Sequence, residues 1–139
     1  MIRAARLRPI ALVGALAIVT VGATSCTDDG GGDLEAFCDA VHDLADNDPF
    51  AHLAVASPEE MQTAFGQLRD GVATIASAAP DDIRGRADRY LDAVDDLIGQ
   101  LRGAAFDPRD LDTLSYRTAA SEYEAAAVSI ENAAESACN

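Results

Sequence analysis

The sequence predicts an all-α fold: an antiparallel up-down bundle of about four helices, tied by a disulfide between the two ends of the domain. Apolar residues from position 33 onward recur at spacings of three and four, and no stretch alternates with a period of two. The breaks between the helical segments are short. The chain of 139 residues therefore forms one bundle domain, residues 33–139, behind a leader and a tether.

The first helix begins behind Asp33, a residue type that is favoured at the N-cap because its carboxylate accepts backbone hydrogen bonds. Asn47, Asp48 and Pro49 end this helix. Its apolar face consists of Leu34, Phe37, Cys38, Val41 and Leu44.

The second helix has a three-part start signal: Ser57 as the cap, Pro58 at the first helical position and Glu60 three residues after the cap. We expect it to end near Ala79-Pro80. Two glycines in its interior each weaken it by up to about 1 kcal/mol relative to alanine. The predicted apolar stripe is Met61, Phe65, Leu68, Val72 and Ile75.

The third helix, from about Pro80 to Arg102, has the strongest periodicity in the chain, and Gly103 marks its end. We expect its inward face to consist of Ile83, Ala87, Tyr90, Leu91, Val94, Leu97, Ile98 and Leu101.

The last segment, about Pro108 to Cys138, predicts two helical pieces. Asp107 is the expected cap of a short piece around Leu111 and Leu114, and a long helix follows. Because alanine lets helices approach closely, we expect this helix to pack tightly at the centre of the bundle. Its inward positions are Ala119, Tyr123, Ala126, Ala127, Ile130 and Ala134.

Residues 1–25 are typical of an export signal peptide. Arg3, Arg6 and Arg8 form the positive region, and an apolar run of about 14 residues, Ile10 to Ala23, follows. Such a run is too short to span a bilayer of about 30 Å comfortably, which disfavours a permanent transmembrane helix.

Cys26 follows the leader in the sequence Ala23-Thr24-Ser25-Cys26, which resembles the lipobox of bacterial lipoproteins. The same residues also fit an A-x-S pattern for the general signal peptidase, which would leave Cys26 unmodified. Residues 26–32 form an acidic, glycine-rich tether that favours lipidation. Lipid on Cys26 would also leave two cysteines, an even number, to pair in an oxidising compartment.

Those two cysteines, Cys38 and Cys138, lie near the start of the first helix and at the end of the last one. In an up-down bundle with four helices these positions share one end. A Cys38–Cys138 disulfide closes a loop of about 100 residues and stabilises the fold by roughly 4 to 5 kcal/mol at most.

Four short stretches resemble a group of small, all-helical exported proteins and lipoproteins of actinobacteria. They are the leader with its cysteine, FCDA at 37–40, YLDAV at 90–94 and SACN at 136–139. The resemblance implies a disulfide-tied helical bundle in the cell envelope. It supplies no catalytic residues.

The charge excludes one class of partner. The formal net charge of the whole chain is −14. Beyond the leader the chain has seven arginines and 24 acidic residues, which gives a net charge of −17. A nucleic-acid partner requires a basic surface, so none is expected. Charge alone also disfavours docking on anionic lipid.

Candidates for chemistry are weak. Cys38, His42 and His52 could supply metal ligands, but they match no known spacing. Asp107, Asp110 and Asp112 lack the glycine and distal glutamate of a calcium loop. We therefore predict no metal, no cofactor and no catalytic residue. The acids Asp88, Asp92, Asp95 and Asp96 are interpreted as a solvated face, with the exposed pairs Asp82–Arg86, Arg84–Asp88 and Arg89–Asp92.

The sequence thus favours a non-enzymatic, lipid-anchored domain on the outer face of the cytoplasmic membrane, with a binding or structural role. Two alternatives stay open: a freely secreted binding protein that dimerises through Cys26, and an enzyme with an unrecognised site. Three tyrosines, Tyr90, Tyr116 and Tyr123, could line a pocket between helices, but aromatic residues at helical spacing are more often core residues.

Overall fold

The computed structural model describes residues 31–51 and 56–138. Four helices occupy most of them: α1 Leu34–Asp46, α2 Pro58–Ala78, α3 Asp81–Gly103 and α4 Thr113–Ala137. No strand occurs within these two ranges. The predicted signal peptide, Cys26 with residues 27–30 of the tether, and His52 lie outside the described residues.

The four helices form a ring in which each contacts the next: α1 with α2, α2 with α3, α3 with α4, and α4 with α1. This arrangement confirms the predicted all-α up-down bundle. The four contacts differ in extent, because α4 packs extensively along α3 and touches α1 only slightly. Helix α4 therefore occupies one corner of the ring rather than its centre, and the expected tight packing is present on the side that faces α3.

The predicted caps of the first two helices are present. One carboxylate oxygen of Asp33 accepts the Glu35 N–H at 2.9 Å. Ser57 and Glu60 form a reciprocal capping box, in which the Ser57 N–H donates to the Glu60 carboxylate at 2.8 Å and the Glu60 N–H donates to the Ser57 hydroxyl at 3.2 Å. These bonds satisfy backbone donors that a helix start otherwise leaves free.

The start of α4 differs from the prediction. Asp112, and not Asp107, caps the helix, since its carboxylate accepts the Ser115 N–H at 2.7 Å. The carboxylate of Asp107 instead accepts the Arg109 N–H at 2.9 Å, which closes a local turn that competes with a helix. The short helical piece expected around Leu111 and Leu114 is therefore absent, and the described chain from 104 to 112 is a loop.

The core draws bulky side chains from three helices and small ones from the fourth. Phe37, Val72, Ile75 and Val94 of α1, α2 and α3 are essentially inaccessible to solvent. The buried residues of α4 are Ala119, Ile130, Ala133 and Ala134. Three of these four are alanines, so α4 approaches α3 closely and brings little volume to the rest of the interior.

Candidate functional site

A cavity of about 290 Å³ lies between α1 with its following loop and the other three helices. Every helix contributes to its wall. The lining residues are Val41, Leu44 and Ala45 of α1, Asp48, Pro49 and Phe50 of the loop, Leu68 and Ile75 of α2, Tyr90 of α3, and Tyr123, Ala127, Ile130 and Glu131 of α4. We call this space the interhelical pocket.

Aromatic contacts fix the loop side of the interhelical pocket. The ring of Phe50 packs edge-on against Phe65 of α2, with centroids 4.9 Å apart, and Phe65 in turn lies 6.4 Å from Phe106. The carboxylate of Asp48 accepts the Phe50 N–H at 2.9 Å, which closes a turn directly after α1. The loop is thereby held on the bundle with Asp48 and Phe50 beside the pocket.

The loop between α3 and α4, which carries Phe106 of this aromatic cluster, contains two unusual backbone conformations. Ala105 and Phe106 have φ angles of 50° and 59°, in the left-handed region that residues other than glycine rarely adopt. The Phe106 N–H donates to the Leu101 carbonyl at 2.8 Å, and its side chain is buried. The hydrogen bond and the burial of the ring offset the local cost of the backbone.

Two tyrosines form the wall between α3 and α4. Tyr90 is buried and Tyr123 half-buried, and their ring centroids lie 5.8 Å apart with the planes tilted by 35°. Burial raises the pKa of the Tyr90 phenol well above its ordinary value, and the neighbouring Tyr123 and the Glu131 carboxylate add to the increase. Tyr90 is therefore a neutral phenol at physiological pH.

A disulfide joins α1 to α4 at one end of the pocket. Cys38 and Cys138 are bonded, with their Cα atoms 5.7 Å apart, as the topology predicts. Among the four pairs of neighbouring helices in the ring, the bridge connects the pair with the least contact. It fixes α1 against α4 about one helical turn from Val41, the first lining residue of the pocket.

The residues considered as metal ligands do not come together. Cys38 is bonded to Cys138, and His42 is exposed on α1 beside the exposed acids Asp39 and Asp43. In the described ranges, no group of three His, Cys, Asp or Glu side chains is placed to hold a metal ion. Asp107, Asp110 and Asp112 are divided between the turn and the cap of α4.

An ion pair connects the acidic face of α3 to α2. Arg69 of α2 donates from Nε and Nη2 to the two carboxylate oxygens of Asp95, at 2.5 and 3.2 Å. Asp88, Asp92 and Asp96 are exposed. The expected pairs along α3 do not form among the described residues; Arg84 instead lies 3.6 Å from Asp81.

Sequence reasoning identified some of the pocket and missed the rest. Tyr90 and Tyr123 both line it while also belonging to the packed interior, whereas Tyr116 does not line it. The sequence pattern predicts only a helix terminator at Asp48, and no pattern points to Glu131. The periodicity of apolar residues does not predict a cavity, because the cavity depends on how side chains from four helices pack against one another in three dimensions.

Comparison with known proteins yields no match: no protein family, curated protein or solved structure is similar to this chain at a significant level. Among the described helices, none is both long and apolar enough to cross a membrane.

Proposed function

We propose that this chain is a non-enzymatic binding domain of the bacterial cell envelope, held at the outer face of the cytoplasmic membrane by a lipid on Cys26. The interhelical pocket carries the binding part of this proposal. Small molecules bind in concave, mostly apolar sites that contain a few polar groups, and the pocket combines apolar walls with two tyrosines and two carboxylates.

The chemistry of the pocket favours binding over catalysis. A general acid or base works best when its pKa lies near the working pH. The pKa of Tyr90 is moved away from neutrality, mainly by burial. A neutral phenol in an apolar wall is suited to hydrogen bonding and ring contact with a ligand.

The anchoring part of the proposal rests on the sequence around Cys26 and agrees with where the chain enters the bundle. Gly32 packs so closely on the turn between α2 and α3 that a side chain there would overlap the carbonyl of Ala79. From Cys26 to Asp33, seven residues on, the chain spans at most about 25 Å. An anchor at Cys26 would keep the disulfide end of the bundle close to the membrane.

Binding is tested with 2-phenylethanol, a small neutral aromatic alcohol, titrated into the isotopically labelled mature chain. We expect amide NMR shifts to change for residues around the pocket, such as Val41 and Ile130. Ala127→Leu fills the pocket and removes these changes, whereas the matched variant Ala125→Leu, at an exposed position of α4, retains them. The absence of shifts at pocket residues with this alcohol and with its charged analogues of similar size, or shifts that survive Ala127→Leu, would contradict the proposal.

Anchoring is tested by the intact mass of the chain from a membrane extract, before and after reduction and alkylation. We expect a chain that begins at Cys26 with added acyl mass and two thiols that appear only after reduction. Cys26→Ser should release the protein into the medium, since two acyl chains give stable retention. A mass without lipid would favour the freely secreted alternative instead.

A further inference from the structure

We propose that the ligand of the interhelical pocket is a small organic cation: an apolar body that carries one ammonium group. This inference rests on the proposed binding function and adds the chemical class of the ligand. Three features of the pocket support it: its charges, its paired tyrosine rings and its apolar lining residues.

Both charged side chains among the described lining residues are carboxylates, Asp48 from the loop and Glu131 from α4. Asp48 is held in place because it accepts the Phe50 N–H. Glu131 is near enough to Tyr90 to help raise the pKa of that phenol. A ligand between these groups therefore experiences a negative potential at the pocket wall, which favours a cation and disfavours an anion.

Positive side chains are placed elsewhere in the described structure. Arg69 is engaged by Asp95 on the surface between α2 and α3, and Arg84 lies beside Asp81 at the start of α3. No arginine lines the pocket within the described ranges. The carboxylates of the pocket are thus available to a cation from outside.

The tyrosine rings supply the second feature. The ring centroids of Tyr90 and Tyr123 lie 5.8 Å apart, and both residues line the pocket. An ammonium group within about 6 Å of a ring centroid is attracted by the negative face of the ring. In the same pocket, Leu68, Ile75 and Ile130 offer an apolar surface for the body of the ligand.

The test compares three probes of nearly equal size: 2-phenylethylamine, which is a cation, 2-phenylethanol, which is neutral, and 3-phenylpropionate, which is an anion. Dissociation constants are measured by NMR titration of the mature chain at about pH 8. We expect the amine to bind at least about fivefold more tightly than the alcohol, and the anion to bind most weakly. Added salt should weaken binding of the amine and leave the alcohol unchanged.

Single substitutions locate the origin of the preference. Glu131→Gln and Asp48→Asn should each reduce the ratio of amine to alcohol affinity by about two- to fivefold. Tyr123→Leu should reduce the same ratio while the alcohol still binds. Glu122→Gln removes an exposed acid on α4 outside the pocket and should leave the ratio unchanged.

The outcomes separate the two proposals. If the alcohol binds as tightly as the amine, or the anion binds best, the cationic ligand is excluded and the binding function stands. If no probe shifts the pocket residues, the binding function fails and the ligand class fails with it. If Glu122→Gln lowers the ratio as much as Glu131→Gln, the preference reflects the overall charge of the chain, and the assignment to the pocket is wrong.

Discussion

The two sides of α4 are packed in different ways. Toward α3 the contact is extensive, and α3 supplies large buried side chains such as Leu97 and Ile98. Toward α1 there is little helix contact, a disulfide at one end and a cavity of about 290 Å³. One helix thus takes part in both the tightest and the loosest interface of the ring.

The difference shows that alanine has two consequences in a helical bundle. On the α3 side small residues allow close approach, so packing is dense. On the α1 side the small side chain of Ala127 leaves volume that Val41 and Leu44, both half-buried, do not fill. The same change can therefore have different effects on the two sides of α4.

Removal of the disulfide should have the largest effect. Its loss in the double variant Cys38→Ala, Cys138→Ala releases a loop with a sequence separation of 100 residues. We expect the free energy of unfolding to fall by about 4 kcal/mol, a large share of the 5–15 kcal/mol typical of a domain. Urea unfolding followed by circular dichroism measures the change.

Hydrogen exchange then shows which side depends on the bridge. Amides of α1 should exchange faster in the double variant than amides of α3, because α1 loses its main connection to α4. Reduction of the native chain should reproduce both results. Equal acceleration in α1 and α3, or a stability loss under about 1 kcal/mol, would show that packing alone holds α1 in place.

The second prediction makes the same substitution on the two sides of α4. Ala133→Leu adds volume at a buried position outside the pocket and should destabilise the protein by about 1–3 kcal/mol. Ala127→Leu adds the same volume into the pocket, so its free energy of unfolding should stay within about 0.5 kcal/mol of the native value. Thermal unfolding of the two variants in parallel measures the difference, and equal losses would show that the pocket does not accommodate the added side chain.

The third prediction concerns Tyr90, which belongs to the pocket wall between α3 and α4. Burial, with Tyr123 and Glu131, raises the pKa of Tyr90, so the folded chain keeps this proton at a pH where the unfolded chain releases it. Stability from this residue is fully present below about pH 10 and falls above it by up to about 1.4 kcal/mol per pH unit. Urea unfolding between pH 9 and about 11 measures this slope.

Two variants assign the slope. Tyr90→Phe should remove it, whereas Tyr116→Phe, outside the pocket, should retain it. Both are made on Cys26→Ser, so that no free thiolate attacks the bridge at high pH. A slope unchanged in Tyr90→Phe would mean that Tyr90 is solvated through the pocket.

The sequence predicted the parts of the fold that depend on near neighbours. Asp33 and the Ser57–Glu60 pair form cap bonds within one helical turn, and the spacing of apolar residues follows from the helical repeat. The caps and the helices could therefore be predicted from the order of residues along the chain. The Cys38–Cys138 bond was predictable because the number of helices determines which ends meet.

The parts that failed involve competition or three-dimensional fit. Asp107 and Asp112 are equally good caps by type, and the turn that Asp107 forms with Arg109 decides between them. Asp95 pairs with Arg69 on another helix, which spacing within α3 cannot reveal. The pocket is the extreme case, since its lining comes from four helices and a loop.

Two glycines of α2 also differ in a way that only the three-dimensional structure reveals. Their replacement should have the smallest effect on stability. In the sequence Gly66 and Gly71 are equivalent weaknesses in one helix. In the structure an added methyl group at Gly66 meets nothing within 4 Å, whereas at Gly71 it lies 2.8 Å from a methyl carbon of Leu44.

Gly66→Ala should therefore raise the free energy of unfolding by up to about 1 kcal/mol. Gly71→Ala gains the same helical preference, but Leu44 must move, and the free space available to it is the interhelical pocket. Its stability should change little, and its affinity for 2-phenylethanol should fall, while Gly66→Ala binds like the native chain. If both variants gain stability and both keep their affinity, α1 shifts away from α2 instead, and the α1–α4 interface is looser than the structure indicates.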